Sequence, residues 1–195
     1  YEVFDRLIDR EALASYKAMA LNPHSNPVTR GGAENDDIFF QGREAQNEHF
    51  AKIPDIVAEY MAEISKVTGR HYAPFTYYGA EDAERIIVAM GSVTEAIKET
   101  IDTLVANGEK VGLIKVHLYR PFSTKYLTAV LPETVKKIAV LDRTKEMGGR
   151  EPLYLDVLHA LKDRKELVIT GGRYGLGSKD TTPAQIKAIY DELAK

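Results

Sequence analysis

The sequence contains no cysteine. Disulfide bonds, thiolate-held zinc and cysteine-ligated iron–sulfur clusters are therefore excluded within this stretch, and any redox chemistry must take place elsewhere. A run of roughly 20 apolar residues, which a membrane-spanning helix needs, is also missing. No basic-then-apolar signal segment opens the chain, so we expect a cytoplasmic location and no membrane partner.

The sequence also has no large excess of either acidic or basic residues. The formal net charge is only −3, and acidic and basic residues are interspersed. Without a broad positive field, a nucleic-acid partner is not expected. The 195 residues, 44% of them hydrophobic and 28% charged, are typical of an ordinary globular protein. The first residue is Tyr1 rather than Met, and we therefore expect a piece of a longer polypeptide.

The first 71 residues predict a helical and extended connecting segment. Residues 9–21 carry apolar side chains at helical spacing behind a capping Asp9, which predicts a short helix. Residues 22–43, rich in Pro, Gly, Asn and Asp, predict an extended arm. A second helix is predicted over residues 54–67, with Pro54 in its first turn and Gly69 closing it.

From residue 72 to residue 195 the pattern predicts one α/β domain. Apolar runs of strand length alternate with amphipathic runs of helix length, as in βαβ units. The predicted strands are residues 75–78, 85–90, 111–116, 135–141 and 167–170. Because these runs are continuously apolar, helices should cover both faces of a mostly parallel sheet, giving a three-layer α/β/α fold.

Two loops at the strand ends are candidate anion sites, because ligands of open parallel sheets gather where strands end and helices begin. Gly91 allows a tight turn and Ser92 can cap the next helix while leaving N–H groups for an anion. A merely capped helix start explains the pair equally well. Arg120 ends a strand and could hold a carboxylate or phosphate. Alternatively, it pairs with an acid in a neighbouring domain.

Two further loops carry more charge or more glycine. Arg143 and Lys145, in a loop with two glycines, would suit a phosphate, unless Asp142 and Glu146 neutralise them locally. The Gly-rich run 171–180, which contains Arg173, resembles a phosphate cradle. It lacks the ending of a Walker A loop, and close contact between its backbone and a neighbouring domain explains its glycines equally well.

The sequence shows no catalytic constellation. The five histidines have no metal-ligand spacing, and no G-x-S-x-G nucleophile elbow is present. No catalytic residue and no metal ligand is therefore assigned. Taken alone, the residues predict an α/β module with possible anion affinity and name no reaction.

Four stretches resemble the pyruvate:ferredoxin (flavodoxin) oxidoreductase family: NPVTRGGAENDDIFFQGR from Asn26, ERIIVAMGSV from Glu84, the run from VGLIKVHLYRPFS to IAVLDRTKE after Lys110, and GGRYGLGSKDTTPA from Gly171. The resemblance implies that residues 72–195 form domain II, a transketolase-C-terminal-like domain. Its five-stranded sheet would have the order 1-3-2-4-5, with strand 1 antiparallel. The sequence departs from the family at Met147, where MGGR puts any contact of that loop in doubt.

The resemblance also implies the chemistry of a parent enzyme. That enzyme converts pyruvate and coenzyme A to acetyl-CoA and CO₂ and passes two electrons through [4Fe–4S] clusters to ferredoxin or flavodoxin, with thiamine diphosphate and magnesium as cofactors. None of these cofactors is expected to bind this chain, which would be inactive alone. Its partners would be other domains of the same polypeptide and a second subunit.

Two alternatives stay open at this point. One is a self-sufficient coenzyme A- or nucleotide-binding module that uses residues 143–150 and 171–179. The other, a small hydrolase, predicts turnover by this chain alone.

Overall fold

The computed structural model describes residues 1–28 and 31–195, and the chain divides into two compact units, Tyr1–Tyr72 and Ala73–Lys195. The described residues of the first unit form four helices: α1 (Glu2–Leu7), α2 (Arg10–Ala18), α3 (Asp36–Ala45) and α4 (Asn47–Thr68). As predicted, Asp9 caps α2 by accepting the backbone N–H of Ala12. Gly69 ends α4 with a φ of 68°, a left-handed conformation that favours glycine.

The predicted extended arm is wrong in its last part. Residues 36–43 belong to α3, where Asp36 and Asp37 occupy the first turn and favourably face the positive end of the helix dipole. Gly42 inside the segment weakens the helical signal in the sequence. Thr29 and Arg30, also within the predicted arm, lie outside the described residues.

The predicted start of the second helix is also wrong. Pro54 does not open α4 but lies inside it, seven residues after Asn47. Proline removes one backbone donor from the helix interior, which normally favours a boundary there. The helix continues through it because the seven preceding residues, NEHFAKI, supply almost two turns of helix before the proline is reached.

The second unit is built of strands and helices in alternation. Its strands are β1 (Phe75–Gly79), β2 (Arg85–Met90), β3 (Val111–Val116), β4 (Lys137–Asp142) and β5 (Val168–Arg173). Its helices are α5 (Val93–Ala106), α6 (Thr124–Val130), α7 (Pro152–Ala160) and α8 (Pro183–Ala194), with a 3₁₀ turn at Leu176–Ser178. All five strands and all four helices of the predicted α/β domain are confirmed.

The sheet has the order β1-β3-β2-β4-β5. β1 pairs antiparallel with β3, and the pairs β2–β3, β2–β4 and β4–β5 are parallel. This confirms the predicted α/β/α fold and strand order. The antiparallel β1 is explained by its position, because the chain enters the sheet there without a crossover helix.

Two apolar layers enclose the sheet. On one face α6 and α7 pack against residues such as Val88, Ile114 and Ile138. On the other face α5 and α8 pack against Ile87 and Leu113 among others. Neighbouring residues of one strand thus point to opposite layers, as strand geometry requires. The core residues of both layers are buried. No described helix has the length and apolar character needed to cross a bilayer.

Candidate functional site

The candidate site residues lie at one edge of the sheet. Because β2, β3, β4 and β5 are mutually parallel, their carboxyl ends meet there. The loops that follow these strands carry five of the six residues singled out by the sequence, and the sixth, Arg173, is the last residue of β5. Some of these side chains lie close together in the structure, whereas others form ion pairs at separate positions.

Arg143, directly after β4, lies across the loop that follows β5. Its Nε donates to the carbonyl oxygen of Gly175 at 3.1 Å, and its Nη2 donates to Ser178 Oγ at 3.4 Å. A Cβ atom at position 175 would lie 3.3 Å from Arg143 Nε, and Gly175 has a φ of 61°. Glycine is therefore needed both for the backbone conformation and for the approach of the guanidinium.

Gly91 and Ser92 connect β2 to α5. Gly91 has a φ of 81°, as its predicted turn role requires. Ser92 is the N-cap residue, but its side chain accepts no capping hydrogen bond, so the predicted cap is wrong. Its backbone is already in the helical region, which points the side chain away from the first-turn N–H groups. Thr94 Oγ1 instead donates to the carbonyl oxygen of Gly91 at 2.7 Å.

The loops after β2, β4 and β5 together line an open polar cleft of about 270 Å³, which we call the β5-loop cleft. Its lining includes Ser92, Arg143, Gly175, Ser178, Lys179 and Thr181. The hydroxyl of Tyr174 donates to the carbonyl oxygen of Met90 at 3.2 Å and so ties the β5 loop to the end of β2. Burial raises the pKa of this hydroxyl, so the hydroxyl stays protonated and can donate the hydrogen bond.

Asp142, the last residue of β4, begins a separate arrangement on the other face of the sheet. Its carboxylate accepts the backbone N–H of Leu153 at 3.0 Å and that of Tyr154 at 3.1 Å, and so stabilises the start of α7. Burial raises the pKa of Asp142, while these two bonds lower it. The expected neutralisation of Arg143 by Asp142 is therefore wrong.

Lys145 is also absent from the cleft lining. Its ammonium donates to the backbone carbonyl of Glu146 at 2.7 Å, while the Glu146 carboxylate accepts Thr144 Oγ1. The expected pairing with the Glu146 side chain is thus replaced by a contact with its backbone. A loop side chain that bends back onto its own backbone is held away from any ligand in the cleft.

Arg120 and Arg173 each pair with an acid of the same domain. Arg120 stacks at 3.9 Å on the ring of Tyr119 and forms an ion pair with Asp156 on α7, whose Oδ2 lies 2.7 Å from Arg120 Nη1. Arg173 Nη1 donates to Glu151 Oε1 at 3.0 Å, and Glu151 is only 3% exposed. A partner for Arg120 in a neighbouring domain is therefore not needed.

Sequence reasoning missed the roles of Asp142 and Glu151. A usable signal was present, because Asp142 closes a strand and Pro152 stands at the first position of the following helix. Lys179 was noticed only as part of the Gly-rich run. Among the described residues, no group of three or more His, Asp or Glu side chains could hold a metal ion.

Comparison with known proteins gives the family of the chain. The family model described as pyruvate:ferredoxin oxidoreductase core domain II matches residues 83–186. The pyruvate:ferredoxin oxidoreductase of Moorella thermoacetica is 53% identical, and the match covers 100% of this chain and 17% of that protein. The pyruvate-flavodoxin oxidoreductase of Klebsiella pneumoniae is 54% identical over the same shares. The chain thus spans about a sixth of the length of these relatives.

A solved structure shares the fold. The 2-oxoglutarate:ferredoxin oxidoreductase from Magnetococcus marinus, with 2-oxoglutarate, coenzyme A and succinyl-CoA bound, superposes with a TM-score of 0.52 at 18% identity. The alignment covers 88% of this chain and 26% of that one. Since the family model matches more than half of the residues, the chain belongs to the pyruvate:ferredoxin oxidoreductase core domain II family.

Proposed function

We propose that the chain is a non-catalytic structural and interface domain of a pyruvate:ferredoxin (flavodoxin) oxidoreductase. In the intact enzyme, pyruvate and coenzyme A would yield acetyl-CoA, CO₂ and two electrons for ferredoxin or flavodoxin. Thiamine diphosphate, magnesium and [4Fe–4S] clusters would be held by other parts of that enzyme. The clusters and the metal do not fit this chain, which has no cysteine ligand and, in its described part, no group of carboxylates for a metal ion.

This proposal rests on the unpaired and apolar edge of the sheet at strand β5. β5 pairs with β4 on one side only. Val168 is 52% exposed, and Leu155 and Leu158 of the adjoining α7 are also exposed. On the face of the sheet opposite to α7, Val168 lines an open groove of about 670 Å³ that runs along β4, β5 and α8 and also includes Leu141 and Ile189.

Such an edge is a place for protein contact. The stretch Val168–Gly172 contains no proline or charged residue, the usual devices that protect a free strand edge. Apolar surface on both sides of an edge strand marks an interaction site. Because the relatives are about six times longer, we assign this surface to neighbouring domains of the same polypeptide or to a second subunit.

The first unit supports the same role. We propose that residues 1–71 connect this domain to another one. None of the described side chains of α2 and α3 is buried, although these helices carry apolar residues such as Tyr16, Phe39 and Phe40. Helices that leave apolar side chains open gain stability by packing on other parts of a larger protein. A cytoplasmic location stays a prediction from the sequence.

Two experiments test the proposal. The 195-residue chain, mixed with pyruvate, coenzyme A, thiamine diphosphate, Mg²⁺ and a low-potential dye, should reduce no dye, and turnover would overturn the proposal.

Val168→Lys should weaken the assembly of the full-length enzyme, measured by its mass distribution in solution. The matched control is Val105→Lys, at a valine that is 37% exposed on α5. Equal effects of both substitutions would contradict an interface at β5.

The alternative of a self-sufficient coenzyme A- or nucleotide-binding module makes a different prediction. Calorimetric titration of the 195-residue chain with coenzyme A, thiamine diphosphate and NAD should then show saturable micromolar binding of one of them. The proposed role as a structural and interface domain, which we call the scaffold role, predicts no such binding of these coenzymes. The β5-loop cleft, at about 270 Å³, is smaller than the usual 300–1,000 Å³ of sites that enclose a coenzyme.

A further inference from the structure

We propose that the β5-loop cleft binds a phosphate group, through Lys179, Arg143 and the hydroxyls around them. This inference does not rest on the scaffold role, since a structural domain can also hold an anion. It also separates the six candidate residues of the sequence, because Ser92 and Arg143 line the cleft and the other four do not.

Two cations from separate loops converge on the cleft. Arg143 comes from the end of β4 and Lys179 from the loop after β5. Arg143 is held in place by its bonds to Gly175 and Ser178, and its Nη1 donates to no described residue. No described side chain accepts a bond from the Lys179 ammonium. With Asp180 as the one carboxylate in the lining, two positive charges face one negative charge.

Hydroxyl groups complete the polar lining. Ser92 projects from the start of α5 and makes no capping bond, so its hydroxyl is free to donate to a ligand. Thr181 and Ser178, from the loop after β5, also line the cleft. The start of the 14-residue α5 also places the positive end of a helix dipole at this side of the cleft.

The loop conformation keeps these groups in place. Gly175, Gly177 and Ser178 all have φ values near 60°, and Ser178 is the one non-glycine residue with positive φ among those described. Such a conformation is uncommon for serine and persists only when its surroundings hold it. Here the Arg143 guanidinium and the bond from Tyr174 to Met90 hold both ends of the loop.

The size and chemistry of the cleft select the ligand class. Cations that present N–H donors, together with hydroxyl donors, match the oxygen atoms of a phosphate. A volume of about 270 Å³ has room for a phosphate group together with a small group that it esterifies. The ligand is therefore inorganic phosphate or the phosphate end of a small ester.

The test is an NMR titration of the 195-residue chain with sodium phosphate, with chloride as the balancing anion at constant ionic strength. Saturable shifts of the Ser92 and Lys179 amide signals are expected. Lys179→Gln should raise the Kd at least about fivefold, as expected for the loss of a charge-assisted hydrogen bond. Arg143→Gln should do the same, provided that the dispersion of the spectrum shows a folded chain.

The matched control is Lys145→Gln, which removes the same charge from a side chain outside the cleft. It should change the Kd less than about twofold, because screened charges outside a site contribute little. Non-saturable shifts, or equal weakening by Lys145→Gln and Lys179→Gln, would overturn the proposal, because both indicate diffuse attraction of anions.

Competition with adenosine monophosphate and adenosine identifies the source of the phosphate group. Adenosine monophosphate should displace inorganic phosphate, and adenosine should not. Tighter binding of adenosine monophosphate than of phosphate indicates a phosphoester ligand, and equal or weaker binding indicates the free ion. Displacement by adenosine would refute recognition of the phosphate group.

Discussion

Asp142 accepts the backbone N–H of Leu153 at a distance of 3.0 Å, so the last residue of β4 closes the first turn of α7. Both groups are buried. The strand end and the helix start, eleven residues apart in the chain, are thereby joined in one polar contact inside an apolar layer. Without the Asp142 carboxylate, the backbone N–H groups at the start of α7 would lack an acceptor in a region that water reaches poorly.

Asp142→Ala should therefore destabilise the domain. We expect the free energy of unfolding to fall by about 1–3 kcal/mol, because the buried N–H groups of Leu153 and Tyr154 lose their acceptor. Urea unfolding followed by circular dichroism measures the loss. Thr182→Ala, which removes the exposed cap of α8, is the comparison and should cost about 1 kcal/mol or less. A smaller loss at Asp142 than at Thr182 would contradict this account.

Gly79→Ala should be among the most damaging glycine substitutions. Gly79 has a φ of 130°, and a Cβ there would lie 2.5 Å from the carbonyl oxygen of Val111 on the paired strand. Backbone cannot move aside as a side chain can, so a loss of about 2 kcal/mol or more is expected. Thermal unfolding measures it.

Gly149→Ala is the control for that substitution. Its φ is not in the left-handed region, and the nearest atom, Glu146 Cβ, lies at 3.9 Å. The stability should change by less than about 0.5 kcal/mol. If both alanine variants unfolded at the same temperature, the close approach of β1 and β3 at Gly79 could not be as described.

Tyr77 should titrate far above the usual range of tyrosine. Burial raises the pKa of its hydroxyl to about 12, and the negative charge of Asp82 adds to the effect. The unfolded chain then loses this proton near pH 10 while the folded chain keeps it. Stability should accordingly fall as the pH rises from 10 to about 12.

The absorbance of ionised tyrosine, compared between the wild type and Tyr77→Phe, measures this titration. The component missing from the variant should have its midpoint near pH 12. The variant should also lose less stability than the wild type over the same alkaline range. A missing component with a midpoint near 10 would show that Tyr77 is solvated in the folded chain.

Arg173→Gln should cost more stability than its partly exposed position suggests. Glu151, its partner, is 3% exposed and would be left buried with a negative charge and no cation beside it. A loss of about 1–3 kcal/mol is expected, as for a buried charged group that loses one partner. Lys110→Gln, which breaks an ion pair with Asp82 on the surface, should give a clearly smaller loss in the same urea experiment. Equal losses would argue against the Arg173–Glu151 contact.

The errors made from the sequence concern the partners of side chains. Asp142 was expected to neutralise its neighbours in the chain, but it binds the start of α7 instead. For Arg120 the sequence left an acid of a neighbouring domain open as a partner, and the structure pairs it with Asp156 of its own domain. In both cases the partner is a long way off in sequence and arrives only when a crossover helix has packed on the sheet. For Asp142 a strand end ahead of a Pro-initiated helix is a usable signal, whereas no residue near Arg120 in the sequence indicates Asp156.

The sequence by itself determined the strands and helices of the α/β domain. Continuously apolar runs such as RIIVAM and VGLIKV lower their free energy only inside a sheet covered on both faces, and the amphipathic runs between them can cover it. The resemblance of four long stretches to a known family added the strand order, which periodicity does not specify. Cysteine content alone also excluded iron–sulfur ligands from this chain.

Only the tertiary structure decided which charges remain free. The pairing of β4 with β5 brings Arg143 against Gly175, and the packing of α7 takes Arg120 and Arg173 into ion pairs. The β5-loop cleft, with Lys179 in its wall, is what remains after these contacts have formed. The physical reason is that a charged side chain is satisfied by whichever groups the fold brings within a few ångströms, and strand order sets those groups.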